Sequence, residues 1–169
     1  MRRHTSFSQT QKMAIATFFV VAVIALTAYS YRCVTEKVCG SVIIDKLVRS
    51  SVDVTLPKGV IRAEVVDTQA ARELGLSERR GLSEGVGMLF VFEKEGRYGF
   101  WMKDMQFPID IVWISSSGLV VQIVEHARPE DYPDTTYINT IAAAYVLELR
   151  EGDIARYGIK VGSRVKIGE

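Results

Sequence analysis

Nothing constrains this chain more than the run from Met13 to Tyr31, MAIATFFVVAVIALTAYSY, which carries no charge and lies between Lys12 and Arg32. As an α-helix rising ~1.5 Å per residue it covers roughly 28 Å, close to the hydrocarbon thickness of a bilayer. A helix buried in a soluble core rarely stays apolar all round between basic flanks, as this one does. Tyr29 and Tyr31, followed by Arg32, suit the headgroup level at its end. The reading is one N-terminal transmembrane helix, residues 13–31, behind a basic tail, residues 1–12. A cleaved signal peptide is the rival, because Arg2 and Arg3 make a positive start and Ala28 and Ser30 are small. The run is longer than an ordinary signal core, which favours an uncleaved, single-pass anchor in the cell membrane. Arg2, Arg3 and Lys12 are answered by Arg32, Lys37 and Lys46 beyond the run, so charge alone orients it weakly. The short basic tail sets the N-terminus inside and the rest of the chain on the extracytoplasmic side.

Residues 32–51 read as a juxtamembrane connector. Within it Cys33 and Cys39 can close a small disulfide loop outside the membrane, would stay reduced inside it, or could be acylated at its surface. A zinc site needs about four ligands, and the histidines are His4, before the apolar run, and the distant His126. No metal and no cofactor are therefore expected. The formal net charge of +1 conceals an asymmetry. Residues 1–50 hold seven Lys/Arg against two Asp/Glu, or +5, whereas residues 51–169 hold 14 against 18, or −4. An acidic folded part repels a phosphate backbone, so nucleic acid is not an expected partner.

From Val52 the pattern turns to strands. Val52, Val54 and Leu56 alternate with polar residues, and Gly59–Asp67 resumes in β-branched residues after Pro57-Lys58. Asp67 or Thr68 can cap a short helix through QAARELGL, which Gly75 ends. After the loop SERRGLSEGVG come the strand MLFVF, a hairpin turn at EKEGR, and YGFWM as the return strand. Pro108 makes KDMQFP a bend. IDIVWI, LVVQIVEHA and one or two strands in TTYINTIAAAYVLEL follow, then a helical turn at GDIARYG and the closing SRVKIGE. Many short strands with one or two short helices predict an all-β domain over residues 52–169, mainly antiparallel and sandwich- or barrel-like.

Three groups of residues invite a chemical reading. Gly81-Leu82-Ser83-Glu84-Gly85 satisfies G-x-S-x-G, and Asp104 or Asp110 followed by His126 has the chain order of a hydrolase triad. That elbow needs a strand before and a helix after, and here a basic loop precedes and a strand follows, so the triad is rejected. Asp104, Asp110, Glu84 and Glu148 could instead converge as an acid/base pair, the hydrolase alternative. In GFWMKDMQFPIDIVW, Trp101 and Lys103 share a face if the strand persists, while Asp110 points opposite to Ile109, Ile111 and Trp113. Its charges either bond the backbone groups that a bend leaves free or line a small polar pocket with Trp101 as platform.

These residues also resemble a known family. GMLFVF (Gly87–Phe92), FWMKDMQFPIDIVWI (Phe100–Ile114), AYVLEL and GIKVGSRV (Gly158–Val165) are similar to the domain of unknown function 192, DUF192, a bacterial and archaeal family. Where the family's pattern reads WMKNT this chain has Trp101-Met102-Lys103-Asp104-Met105, and Ser77 stands for the Met of its GLM segment. The resemblance implies a compact β-sandwich or barrel-like domain, often behind a signal or anchor, and supplies no catalytic residue. The function expected from residues and resemblance together is a membrane-anchored, noncatalytic module that binds a small polar ligand such as a carbohydrate, or an envelope protein. Trp101, Lys103, Asp104 and Asp110 are its candidate binding residues, and residues 13–31 meet membrane lipid.

Overall fold

The computed structural model describes residues 50–168. The expected membrane helix over 13–31, most of the connector and the Cys33–Cys39 pair lie outside them. Among the described residues no helix is long and apolar enough to cross a membrane.

Strand β1 (Ser50–Leu56) turns at Pro57-Lys58 into β2 (Gly59–Val66), with Leu56 opposite Gly59 and Val52 opposite Ala63. The end of β2 leads through Asp67 and Thr68 to helix α1 (Gln69–Leu74), which begins where Thr68 Oγ1 accepts the Ala71 N–H at 3.3 Å and ends at Gly75, φ 51°. Glycine has no Cβ to oppose that angle, and its own N–H donates back to the Ala71 carbonyl. The crossover brings β3 (Val86–Gly96) parallel to β2, an exception to the expected antiparallel pattern. The remaining elements are β4 (Gly99–Phe100), β5 (Ile109–Ile114), β6 (Val120–Ala127), a 3-10 turn at Pro129–Asp131, β7 (Tyr137–Ile138), β8 (Ala143–Arg150), α2 (Asp153–Tyr157) and β9 (Lys166–Ile167).

Seven strands form one sheet in the order β6-β5-β8-β3-β2-β1-β9, and β4 pairs with β7 in a second, two-stranded sheet. The large sheet curls into a half-barrel whose edges are tied by the segment before β9. Val165 N donates to Gly118 O at 2.8 Å and Val120 N to Ser163 O at 2.9 Å, beside β6, before Lys166 and Ile167 pair with β1. Side chains from both edges, Val54 and Val120 among them, meet inside with Leu89, Val112 and Leu147, and Ile154 and Tyr157 of α2 join them. Residues on the other face, including Met88, Phe90, Ile111, Trp113 and Val146, pack with Ala71 of α1 and with Phe100 and Tyr137 of the small sheet. With both faces covered, β5 buries every residue of IDIVWI. The mostly-β fold with two short helices agrees with the sequence reading at that level.

One pairing differs. YGFWM does not fold back on β3 as a return strand; two residues of it pair with β7, while β3 pairs with β2 and β8. The reason is Asn139, fully buried, which accepts the Tyr98 N–H at 2.6 Å and donates to the carbonyls of Gly96 at 2.9 Å and Ile141 at 2.6 Å. These contacts engage backbone groups of the Gly96–Tyr98 turn and steer the chain toward β7.

Candidate functional site

On the outer face of the sheet, α1 and the small sheet leave a cleft of about 190 Å³. Phe90 and Phe92 of β3, Tyr98, Phe100, Trp101 and Met105 line it together with residues of α1, and Glu148 of β8 stands at its floor. The rings brace one another: Phe100 meets Phe90 edge-on at 4.8 Å and Trp113 edge-on at 6.0 Å, while Phe92 and Tyr98 stack. Arg72 of α1 lies over the Phe92 ring at 5.1 Å, held by bonds from its guanidinium to the Asp67 and Val91 carbonyls.

Glu148 has no polar neighbour across the strands, since Met88 and Ile111 stand opposite it in the register. The residue is 6% exposed and its Oε2 is buried without a hydrogen-bond partner. Burial pushes its carboxyl up to about 8, against the opposing pull of the Arg79 guanidinium. Arg79 itself is engaged by Glu64 of β2 through two short bonds, 2.7 and 2.6 Å. At neutral pH the Glu148 carboxyl is therefore mainly protonated.

Of the residues singled out in the sequence, Trp101 is at the cleft and half exposed. Lys103 and Asp104 are exposed in the bend beyond it and do not line the cleft. Asp104 has φ 57°, a conformation that Asn and Asp tolerate better than other side chains, and its carbonyl accepts the Glu78 N–H at 3.3 Å. Asp110 is fully buried on the opposite, inner face of the sheet. Its Oδ1 accepts the His126 N–H at 3.1 Å and its Oδ2 the Ile154 N–H at 3.0 Å, so it joins the end of β6 to the start of α2. The four residues are thus not brought together around one pocket. Nor do the four acids share one site: Asp104 is exposed in the bend, Glu148 is on the outer face and Asp110 is on the inner face. Glu84 pairs with Arg156 at the surface, which holds its carboxyl below the usual range, while Asp110 and Glu84 both act on Asp153 of α2. His126 is exposed and pairs with Glu151 at 2.9 Å. Among the described residues no group of His, Cys, Asp and Glu could hold a metal ion.

Sequence reasoning named Glu148 only as one acid of a set and missed it as the floor of a cleft. The available signal is a single carboxylate inside the otherwise apolar stretch AAYVLEL.

Residues 52–167 match the profile of DUF192, described as an uncharacterised ACR, which spans well over half of the chain. The chain belongs to the DUF192 family. This DUF192 domain is similar to a solved protein from Sinorhizobium meliloti 1021, described as a candidate transcription regulator, with 31% identity over 70% of this chain and 94% of the other and a TM-score of 0.65. It is also similar to a protein of unknown function from Novosphingobium aromaticivorans DSM 12444, at 33% identity over 69% of this chain and 83% of the other, TM-score 0.62. No curated protein matches the chain. The family assignment agrees with the resemblance seen in GMLFVF and FWMKDMQFPIDIVWI.

Proposed function

We propose that this DUF192 domain is a noncatalytic module that takes a small polar ligand in the aromatic cleft, anchored by Glu148, and that residues 13–31 tether it to the membrane with the domain on the extracytoplasmic side. The observation that carries the binding reading is the unpartnered Oε2 of Glu148 at the floor of the cleft. Leaving such an atom buried without a partner costs about 1–3 kcal/mol. A leucine in that strand would avoid the cost, so the carboxyl is better explained by what enters the cleft than by the fold. Noncatalytic binding is favoured over hydrolysis because Glu148 has no second acid in the cleft apart from Glu73, which is engaged by Gln69 at 2.9 Å.

Trp101 belongs to this site as its half-exposed rim. The likeness to a candidate transcription regulator does not extend to a proposal of nucleic-acid binding, because the domain's charge is −4 over residues 51–169. A melting-temperature screen of the full chain against sugars, amino acids, amines and nucleotides is expected to give upward shifts with at least one class, diminished in Trp101→Ala. Shifts that are identical in wild type and Trp101→Ala would exclude the cleft as their origin.

A further inference from the structure

The cleft's polar inventory narrows what can occupy it. Ser77 Oγ is committed to the Lys103 carbonyl at 3.0 Å, Gln69 is bonded to Glu73, and Arg72 holds two carbonyls. A sugar, with a hydroxyl on nearly every carbon, would find few groups to answer it. What the cleft does offer is five aromatic rings, a thioether and one buried carboxyl that lacks a partner. Ring faces attract cations, and the Phe92 ring already lies against one, Arg72. A carboxyl oxygen without a partner asks for a hydrogen-bond donor. One chemical group meets both demands.

We propose that the ligand is a small organic ammonium ion, its N–H donating to the Glu148 carboxyl while its carbon skeleton lies against Phe90, Phe100 and Trp101; the inference rests on the cleft being the binding site. The charged groups that face Glu148 do not supply this cation themselves. Arg79, from the loop after α1, is matched by Glu64 of β2, and the cleft's remaining charges, Arg72 and Glu73 of α1, oppose one another in sign. From the adjoining strands only the uncharged Met88 and Ile111 stand opposite it.

Binding then moves a proton. The carboxyl enters the encounter protonated, gives its proton to solvent, and faces the ammonium as a carboxylate; no other bond is made or broken. Because burial holds that carboxyl at about 8, affinity rises roughly tenfold from pH 6 to pH 7 and levels off above pH 8.

The test is calorimetric titration of the full chain with n-butylammonium, with n-butanol and methyl glucoside as neutral probes, in two buffers of different ionisation enthalpy at pH 6.5. The expected result is saturable n-butylammonium binding, tighter than n-butanol by at least tenfold, with about one proton released per ligand, and loss of that preference in Glu148→Gln. Should Glu148→Gln fail to fold, the proton release and the pH 6 to 7 rise in the wild type decide the matter alone. No preference for the ammonium over n-butanol, or binding of none of the three probes, overturns the inference. Neutral-probe binding that depends on Trp101 without an ammonium preference keeps the cleft and removes the cation. Ammonium binding unchanged in Trp101→Ala removes both.

Discussion

Asp110 and Glu148 lie on adjacent strands of one sheet and face opposite sides of it, and their surroundings give them opposite roles. Asp110 accepts two backbone N–H groups that would otherwise be buried unpaired, so Asp110→Asn puts an amide nitrogen against one of them. A loss of about 1–3 kcal/mol is expected. Glu148 behaves in the reverse sense. Its carboxyl sits at about 8 in the folded chain, above 4.5 in the unfolded one, so the folded state holds the proton more tightly. Stability on this account is unaffected well below pH 4.5, falls as pH rises between the two values, and is lowest above pH 8. Glu148→Gln should flatten that slope and match or exceed the wild type at pH 9 by as much as a few kcal/mol. Urea denaturation of both variants at pH 5, 7 and 9 checks the pair; a Glu148→Gln protein that loses as much as Asp110→Asn at pH 9 would contradict the assignment. Sequence reasoning could foresee half of this. An aspartate between Ile109 and Ile111 next to a proline bend already suggests backbone bonding. That Glu148 finds no partner depends on which residues three other segments bring to it, and no local pattern encodes that.

Elements were legible where their signals are local. The strands around Val54, Ile61 and Ile111 follow from β-branched alternation or continuity, α1 from its Thr68 cap and Gly75 stop, and the bend from Pro108. Pairing was not legible, because the partner of a strand is chosen by distant residues such as Asn139, whose buried amide diverts the chain from the hairpin that EKEGR suggests. One of the bonds that tie the sheet edges likewise depends on a glycine. Gly118 has φ 77°, and a Cβ there would stand 2.5 Å from the Val165 carbonyl oxygen, whereas Gly152 has φ 86° and open space around it. Gly152→Ala should cost about 1 kcal/mol for its backbone angle alone. Gly118→Ala adds the collision, for a total of roughly 2–4 kcal/mol. Equal melting temperatures for the two variants would show that the tie bears little of the fold's stability.

At the scale of the molecule, the tether makes its own prediction. The apolar run over 13–31 predicts that the full chain sediments with membranes and stays there through an alkaline wash, and that deleting residues 13–31 releases it to the supernatant. Release of the full chain by the wash would reduce the run to a peripheral contact or a removed signal.

The edge tie also sets an order of events in time. β1 waits for Lys166 and Ile167, more than a hundred residues downstream, and the start of β6 waits for Ser163 and Val165. Contacts so distant in sequence form late, after nearer hairpins have gained what they can. A ribosome still making residues 150–160 therefore holds a chain whose seam is open, with neither β1 nor the start of β6 yet paired to the closing segment. The seam shuts only once residues 163–167 have been made, which puts closure of the sheet among the last steps of its assembly.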